Sequence, residues 1–200
     1  MITIVSGFIR SGTSMMMRML HVGGLPVVFD AERRPADVQN PNGYYESPEF
    51  MELSPEGLAC VGLLDGKAVK IIAAGLPHWP AHMPAKVIFM ERDVWERAQS
   101  MAIMQRADLA RGRYEPPLEP HNGPALVDSY LPFWRERIFA MPQLDLLSVS
   151  YNTIGDDPHA AAVRVRDHLG VTLDVDAMAA VWDSRLYRNR AMELHAAISQ

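Results

Sequence analysis

Gly7-Phe8-Ile9-Arg10-Ser11-Gly12-Thr13-Ser14 is the stretch whose reading decides the fold. It follows a short apolar, β-branched run, Ile2 to Ser6, and leads into Ser14 to Leu20, a segment of good helix formers that stops at Gly23-Gly24. A buried parallel strand ending at a glycine, then a helix from about Thr13, is the setting that a phosphate-cradling loop requires. In such a loop the backbone N–H groups and the helix N-terminus converge on one anion. The spacing fits G-x-x-x-x-G-x-[ST], with Thr13 standing where a nucleotide triphosphatase carries lysine. The cation is instead Arg10, whose guanidinium can neutralise charge on a transferred group; the missing lysine argues against ATP hydrolysis.

Outward from this loop, short apolar runs alternate with helical segments. Pro26 to Phe29, Ala68 to Ala73, Val87 to Met90 and Asp145 to Val149 read as further strands. Ser47-Pro48-Glu49 opens a helix to about Cys60, and Val94 to Gln105 and Ala125 to Phe139 are helical by composition. Asp157 with Pro158 caps a last helix. Asp30 to Asn42 has no periodicity and reads as a surface loop, and Arg106 to Pro124 as a connector, lid or acceptor-binding loop. The alternation predicts an α/β fold with a central parallel β-sheet flanked by helices.

Composition narrows the function. The 200 residues, 48% hydrophobic and 22% charged, predict a single domain over 1–200. Against 24 acidic residues stand 19 Lys and Arg, a formal charge of -5, so neither nucleic acid nor an anionic membrane is an expected partner. Any anion must be held locally. The one cysteine, Cys60, makes neither an internal disulfide nor a metal cluster, and no zinc site is readable. No secretory signal or long apolar span is visible, and the expected location is cytoplasmic.

The loop resembles the 5′-phosphosulfate loop of sulfotransferases, whose bacterial and tyrosylprotein members read Pro-Arg-Ser-Gly-Thr-Ser or -Thr; Ile9 replaces the proline. The resemblance implies a three-layer P-loop fold and 3′-phosphoadenosine 5′-phosphosulfate (PAPS) as sulfuryl donor, with no metal. It gives Arg10 the departing charge and places Ser11, Gly12, Thr13 and Ser14 around the phosphosulfate. Glu91-Arg92-Asp93, at the end of a strand, with Ser100 eight residues beyond Arg92, resembles the family's 3′-phosphate motif. An arginine fork and a helix hydroxyl suit a phosphate on physical grounds alone. Ser150-Tyr151-Asn152-Thr153-Ile154 with Asp157-Pro158 resembles a late segment whose tyrosine lies near the adenine, which makes Tyr151 a candidate, although Asn152 departs from the usual glutamate. The basic patch at Arg185 to Arg190 offers Arg188 and Arg190 as further phosphate contacts, without the family's Arg-Lys-Gly motif.

An acceptor hydroxyl or amine also needs a general base. Cytosolic sulfotransferases use a histidine in Lys-Thr-His, but the comparable strand here reads Val69-Lys70-Ile71-Ile72. His78 lies a few residues on. Tyrosylprotein members use a glutamate after the second strand, where this chain has Asp30 and, close by, Glu32. Glu46, in Asn40-Pro41-Asn42-Gly43-Tyr44-Tyr45-Glu46, resembles an Asn-Pro-x-Gly-aromatic-x-Glu segment of bacterial sulfotransferase-like proteins and ranks first, then Asp30, then His78. The expected function is sulfuryl transfer from PAPS to a small acceptor. The competing readings are a P-loop nucleotide or metabolite kinase and a non-catalytic nucleotide-binding relative.

Overall fold

The computed structural model describes residues 1–32, 36–110, 112 and 124–187. Five strands form one parallel sheet in the order β2-β3-β1-β4-β5, where β1 is Ile2–Gly7, β2 Val27–Val28, β3 Ala68–Lys70, β4 Ala85–Glu91 and β5 Leu144–Ser150. The helices are α1 (Thr13–Val22), α2 (Pro48–Met51), α3 (Pro55–Cys60), α4 (Val94–Ala110), α5 (Pro124–Phe139), α6 (Tyr151–Ile154), α7 (Pro158–Leu169) and α8 (Val175–Ala179). Side chains of a strand alternate between faces, and here they divide the core in two. Val5, Ile88 and Met90 pack with Met16, Met17 and Leu20 of α1, Val165 of α7 and Met178 of α8. Ile4, Val87 and Phe89 pack on the other face with Phe50 of α2, Leu76, Trp79 and Ile138 of α5. The result is the expected three-layer α/β architecture.

β1 is the middle strand, and its loop therefore opens between two neighbours. Val5 pairs with Lys70 on one side, and Gly7 with Met90 on the other. The C-terminal ends of β3, β1 and β4 thus converge on one rim, the edge where ligands collect in open parallel sheets.

Several boundaries differ from the sequence expectation. β2 is confined to Val27–Val28, and β3 ends at Lys70, beyond which the amides of Ile71 and Ala73 still donate to Val5 and Gly7 carbonyls. The helix expected from Ser47 to Cys60 is two helices, because Leu53 takes a left-handed φ of 53° and Ser54 starts a new cap, accepting from the Gly57 amide. α4 runs on to Ala110, five residues further than its composition suggests; most of the expected loop after it lies outside the described residues. No helix among the described residues is long and apolar enough to cross a membrane.

Asp157 caps α7 as expected, its carboxylate accepting from the Ala160 amide at 2.8 Å. Asp157→Ala is expected to lower unfolding stability by about 1 kcal/mol, read as a shift of the urea midpoint without a change of slope. An unchanged midpoint would show that the cap contributes nothing there.

Candidate functional site

The loop between β1 and α1 is built around two close approaches. Gly7 has φ +148° and Gly12 φ +96°. A Cβ at Gly7 would lie 2.5 Å from the Met90 carbonyl oxygen, and one at Gly12 would lie 2.3 Å from the Tyr151 ring. Arg10 also sits in the left-handed region, at φ 71°, which an arginine adopts only when its surroundings hold it. Three partners do so. Its Nε donates to Ser100 Oγ at 2.8 Å, Nη2 to the Gln39 carbonyl at 3.4 Å, and Nη1 approaches the Met104 sulfur at 3.7 Å. Gly12 is the N-cap of α1 with no side-chain cap, so the first amides of the helix face the loop without an intrahelical acceptor.

A cavity of about 260 Å³ opens over this turn. It brings together Arg10, Gly12, Thr13, Ser14, Glu46, Arg92, Ser100 and Tyr151 from far-separated parts of the chain. On the β4 side, Arg92 lies 4.6 Å over the Tyr151 ring, and its Nη1 donates to the Arg10 carbonyl at 3.4 Å. Behind it, Glu96 Oε2 accepts from Arg92 Nε at 2.9 Å while Glu96 Oε1 accepts from the Tyr187 hydroxyl at 3.0 Å. Asn152 completes the support, its Nδ2 donating to Tyr187 and its Oδ1 accepting from the Asp93 amide. Asn152 thus ties the end of β4 to α6. Burial raises the Tyr187 phenol, which keeps it protonated as the donor to Glu96. Arg97 underpins the turn from outside the cavity, its Nε donating to the Ile9 carbonyl and its guanidinium stacking on Phe8. Burial, and then the charge of Arg92, pull Arg97 down to about 10, so it stays cationic at neutral pH.

On the β3 side stands a residue to which the sequence reading gave no role. Lys70, at the end of β3, is buried, and its Nζ donates to Glu46 Oε1 at 3.1 Å, the Tyr44 carbonyl at 3.0 Å and Ser14 Oγ at 3.2 Å. A lysine inside the apolar run Val69-Lys70-Ile71-Ile72 was the signal, since lysine is almost never fully buried without a partner. Glu46 Oε2 has no hydrogen-bond partner among the described residues.

Not every expected residue faces the cavity. Ser11 turns inward: its amide donates to the Phe8 carbonyl, and its buried hydroxyl has no partner among the described residues. Asp30 and His78 are exposed and do not line the cavity. Arg188 and Arg190 lie outside the described residues.

The architecture is similar to that of a sulfotransferase from Alicyclobacillus acidocaldarius, with a TM-score of 0.51 and 15% identity over 86% of this chain and 83% of that one. The chain shares that protein's fold. It is also similar, at a TM-score of 0.42 and 18% identity over 90% of its length, to retinol dehydratase in complex with androsterone and the inactive cofactor PAP, of which it spans 62%. By sequence, the chain matches no protein-family model and no curated protein.

Within this fold the glycine turn tolerates no side chain. Gly12→Ala is expected to lose on the order of 2–4 kcal/mol of stability, from left-handed strain plus the clash with Tyr151, and to lose anion binding at the loop. Thermal unfolding with and without adenosine 3′,5′-bisphosphate measures both; a variant with the wild-type melting point would show that the turn relaxes at no expense.

Proposed function

We propose that the protein is a sulfotransferase that takes a sulfuryl group from PAPS to the hydroxyl or amine of a small acceptor. The observation that carries the reading is the single cavity in which Arg10, Thr13 and Ser14 of the glycine turn stand beside Arg92, Ser100 and Tyr151. The fold supports it, since a sulfotransferase shares the architecture. The donor set also fits. Uncapped helix amides, two turn glycines with no space for a Cβ, and the guanidinium groups of Arg10 and Arg92 on one cavity suit a ligand with anionic groups at both ends.

When bound, PAPS would supply an electrophilic sulfuryl group on a phosphate leaving group, so that transfer breaks the sulfur–oxygen bond to that phosphate and forms a sulfur–oxygen bond to an acceptor hydroxyl or a sulfur–nitrogen bond to an acceptor amine. The chain's residues divide the remaining work. Arg10 and the amides of Thr13 and Ser14 stabilise charge at the 5′ end, held ready by the Ser100 and Gln39 contacts rather than reorganised during the reaction. Arg92, fixed by Glu96 and stacked on Tyr151, receives the 3′-phosphate with Ser100. Lys70 adds a second cation on the acceptor flank. Glu46 takes the acceptor proton at Oε2, while Oε1 stays anchored to Lys70. Asp30, outside the cavity, drops out of the ranking of bases.

Adenosine 3′,5′-bisphosphate is expected to raise the melting temperature without magnesium, and ATP with magnesium to raise it far less. Arg92→Ala should abolish most of the bisphosphate shift. A magnesium-dependent shift by ATP alone would instead make the protein a kinase. Glu46→Gln should keep the bisphosphate shift and lower transfer to a responsive acceptor by about 100-fold or more; full turnover would remove Glu46 as the base.

A further inference from the structure

Four cationic side chains line the cavity among the described residues: Arg10, Arg18, Lys70 and Arg92. Three have work to do. Arg10 is bound to Ser100 and Gln39, Arg92 to Glu96, and Lys70 to Glu46. Arg18 makes no hydrogen bond or ion pair among the described residues, although it is half-buried in the wall. A guanidinium removed in part from water and given no carboxylate is a vacancy for an anion.

Its place in the fold says which anion. Ser14 and Arg18 are four residues apart on α1 and share one face of the helix. Ser14 Oγ donates to the Tyr44 carbonyl and accepts from Lys70, which fixes that face on the β3 side of the turn. Arg18 and Tyr44 line the same cavity, and the charge of Arg18 is felt at Tyr45, whose phenol burial raises in spite of it. Arg92, Ser100 and Tyr151 lie on the opposite side, towards β4 and β5. The two flanks are separated by β1, so the anion met by Arg18 is not the 3′ end of the donor. It lies with Glu46 and Lys70, where the reacting oxygen or nitrogen of the acceptor must come. Asn40 and Asn42 line the same cavity and add a polar rim.

We propose that Arg18 binds an oxyanion carried by the acceptor, a carboxylate or a phosphate, and that the acceptor is therefore an anionic hydroxy or amino compound. This rests on the sulfuryl-transfer reading, because it presumes that the Glu46 flank receives the acceptor. Selection of an already anionic acceptor also accounts for a surplus cation in a chain whose formal charge is -5.

The test is binding, not turnover. Protein saturated with adenosine 3′,5′-bisphosphate is titrated by calorimetry with pairs that differ only in the anion: 4-hydroxybenzoate against 4-hydroxybenzamide, 3-hydroxybutyrate against its amide, and glucose 6-phosphate against glucose. The carboxylate and phosphate arms tell the two oxyanions apart. In at least one pair the anion is expected to bind about tenfold more tightly, as one charge-assisted contact provides. Arg18→Gln should bring that ratio to near one while leaving the bisphosphate affinity unchanged, and Arg18→Lys, which keeps the charge without the fork, should fall between. If no anion binds better than its neutral partner, or if Arg18→Gln keeps the preference, the proposal is overturned. Failure of the bisphosphate itself to bind would overturn the sulfotransferase reading instead, so the two outcomes are distinct.

Discussion

Two missing Cβ atoms set the geometry on which everything else rests. The turn after β1 is crossed by the Met90 carbonyl at Gly7 and by the Tyr151 ring at Gly12, each so near that even a methyl group would collide. These approaches lock β1, the end of β4 and the start of α6 into one body. Between the two glycines Arg10 takes a left-handed conformation, with its guanidinium on Ser100 of α4. The strain, of order 1–3 kcal/mol for such a residue, is offset by the contacts that hold it. The dense packing beneath the turn is what makes its upper surface a fixed array of donors.

A second constraint is electrostatic. Cations crowded around one small cavity repel each other, and buried charge carries a desolvation penalty that a single pairing rarely repays. The chain answers in the same way on both sides of β1, with one cation paired to a glutamate on each: Arg92 with Glu96, and Lys70 with Glu46. Arg92 and Glu96 are 7% and 2% exposed, Lys70 and Glu46 6% and 11%. Such pairs are weak contributors to stability, and their arrangement at one rim is better explained by the chemistry of the cavity than by the need to fold.

Much of this was legible in the sequence, for reasons that can be named. β1, its glycine turn and α1 were readable because apolar run, glycine spacing and helix formers follow one another without interruption. Arg92 and Ser100 enter the reading through the resemblance of the strand-end motif to a 3′-phosphate site, with an arginine fork and a helix hydroxyl suiting a phosphate on physical grounds. What escaped notice depends on conformations that ordinary residues reveal only in three dimensions. Leu53 breaks a helix at φ 53° although nothing about leucine announces it. Ser11 reads like its neighbours as a ligand contact, but the turn that brings Thr13 and Ser14 to the cavity places Ser11 beneath the loop. Lys70 and Tyr187 take their meaning from partners remote in sequence: Glu46 lies 24 positions from Lys70, and Glu96 and Asn152 lie 91 and 35 from Tyr187. Asp30 looked comparable to Glu46 only while the course of the 36–46 segment, which folds back over the turn and brings Gln39 to Arg10, was unknown.

The two buried glutamates show how similar pairs can serve different ends. Glu96 has both oxygens engaged, one by Arg92 and the other by the Tyr187 hydroxyl, and it is almost completely enclosed. A carboxylate in that state can orient a cation but has no place to receive a proton. Glu46 is tethered through Oε1 alone, borders the cavity, and keeps Oε2 without a partner among the described residues. On the proposed chemistry this asymmetry separates the roles: the pair beside β4 holds the donor, and the pair beside β3 positions a base. Lys70 suits that second role because its ammonium also bonds Ser14 of the turn. The position of the base is thereby set relative to the phosphate loop by one continuous chain of hydrogen bonds, from Glu46 through Lys70 to the first turn of α1.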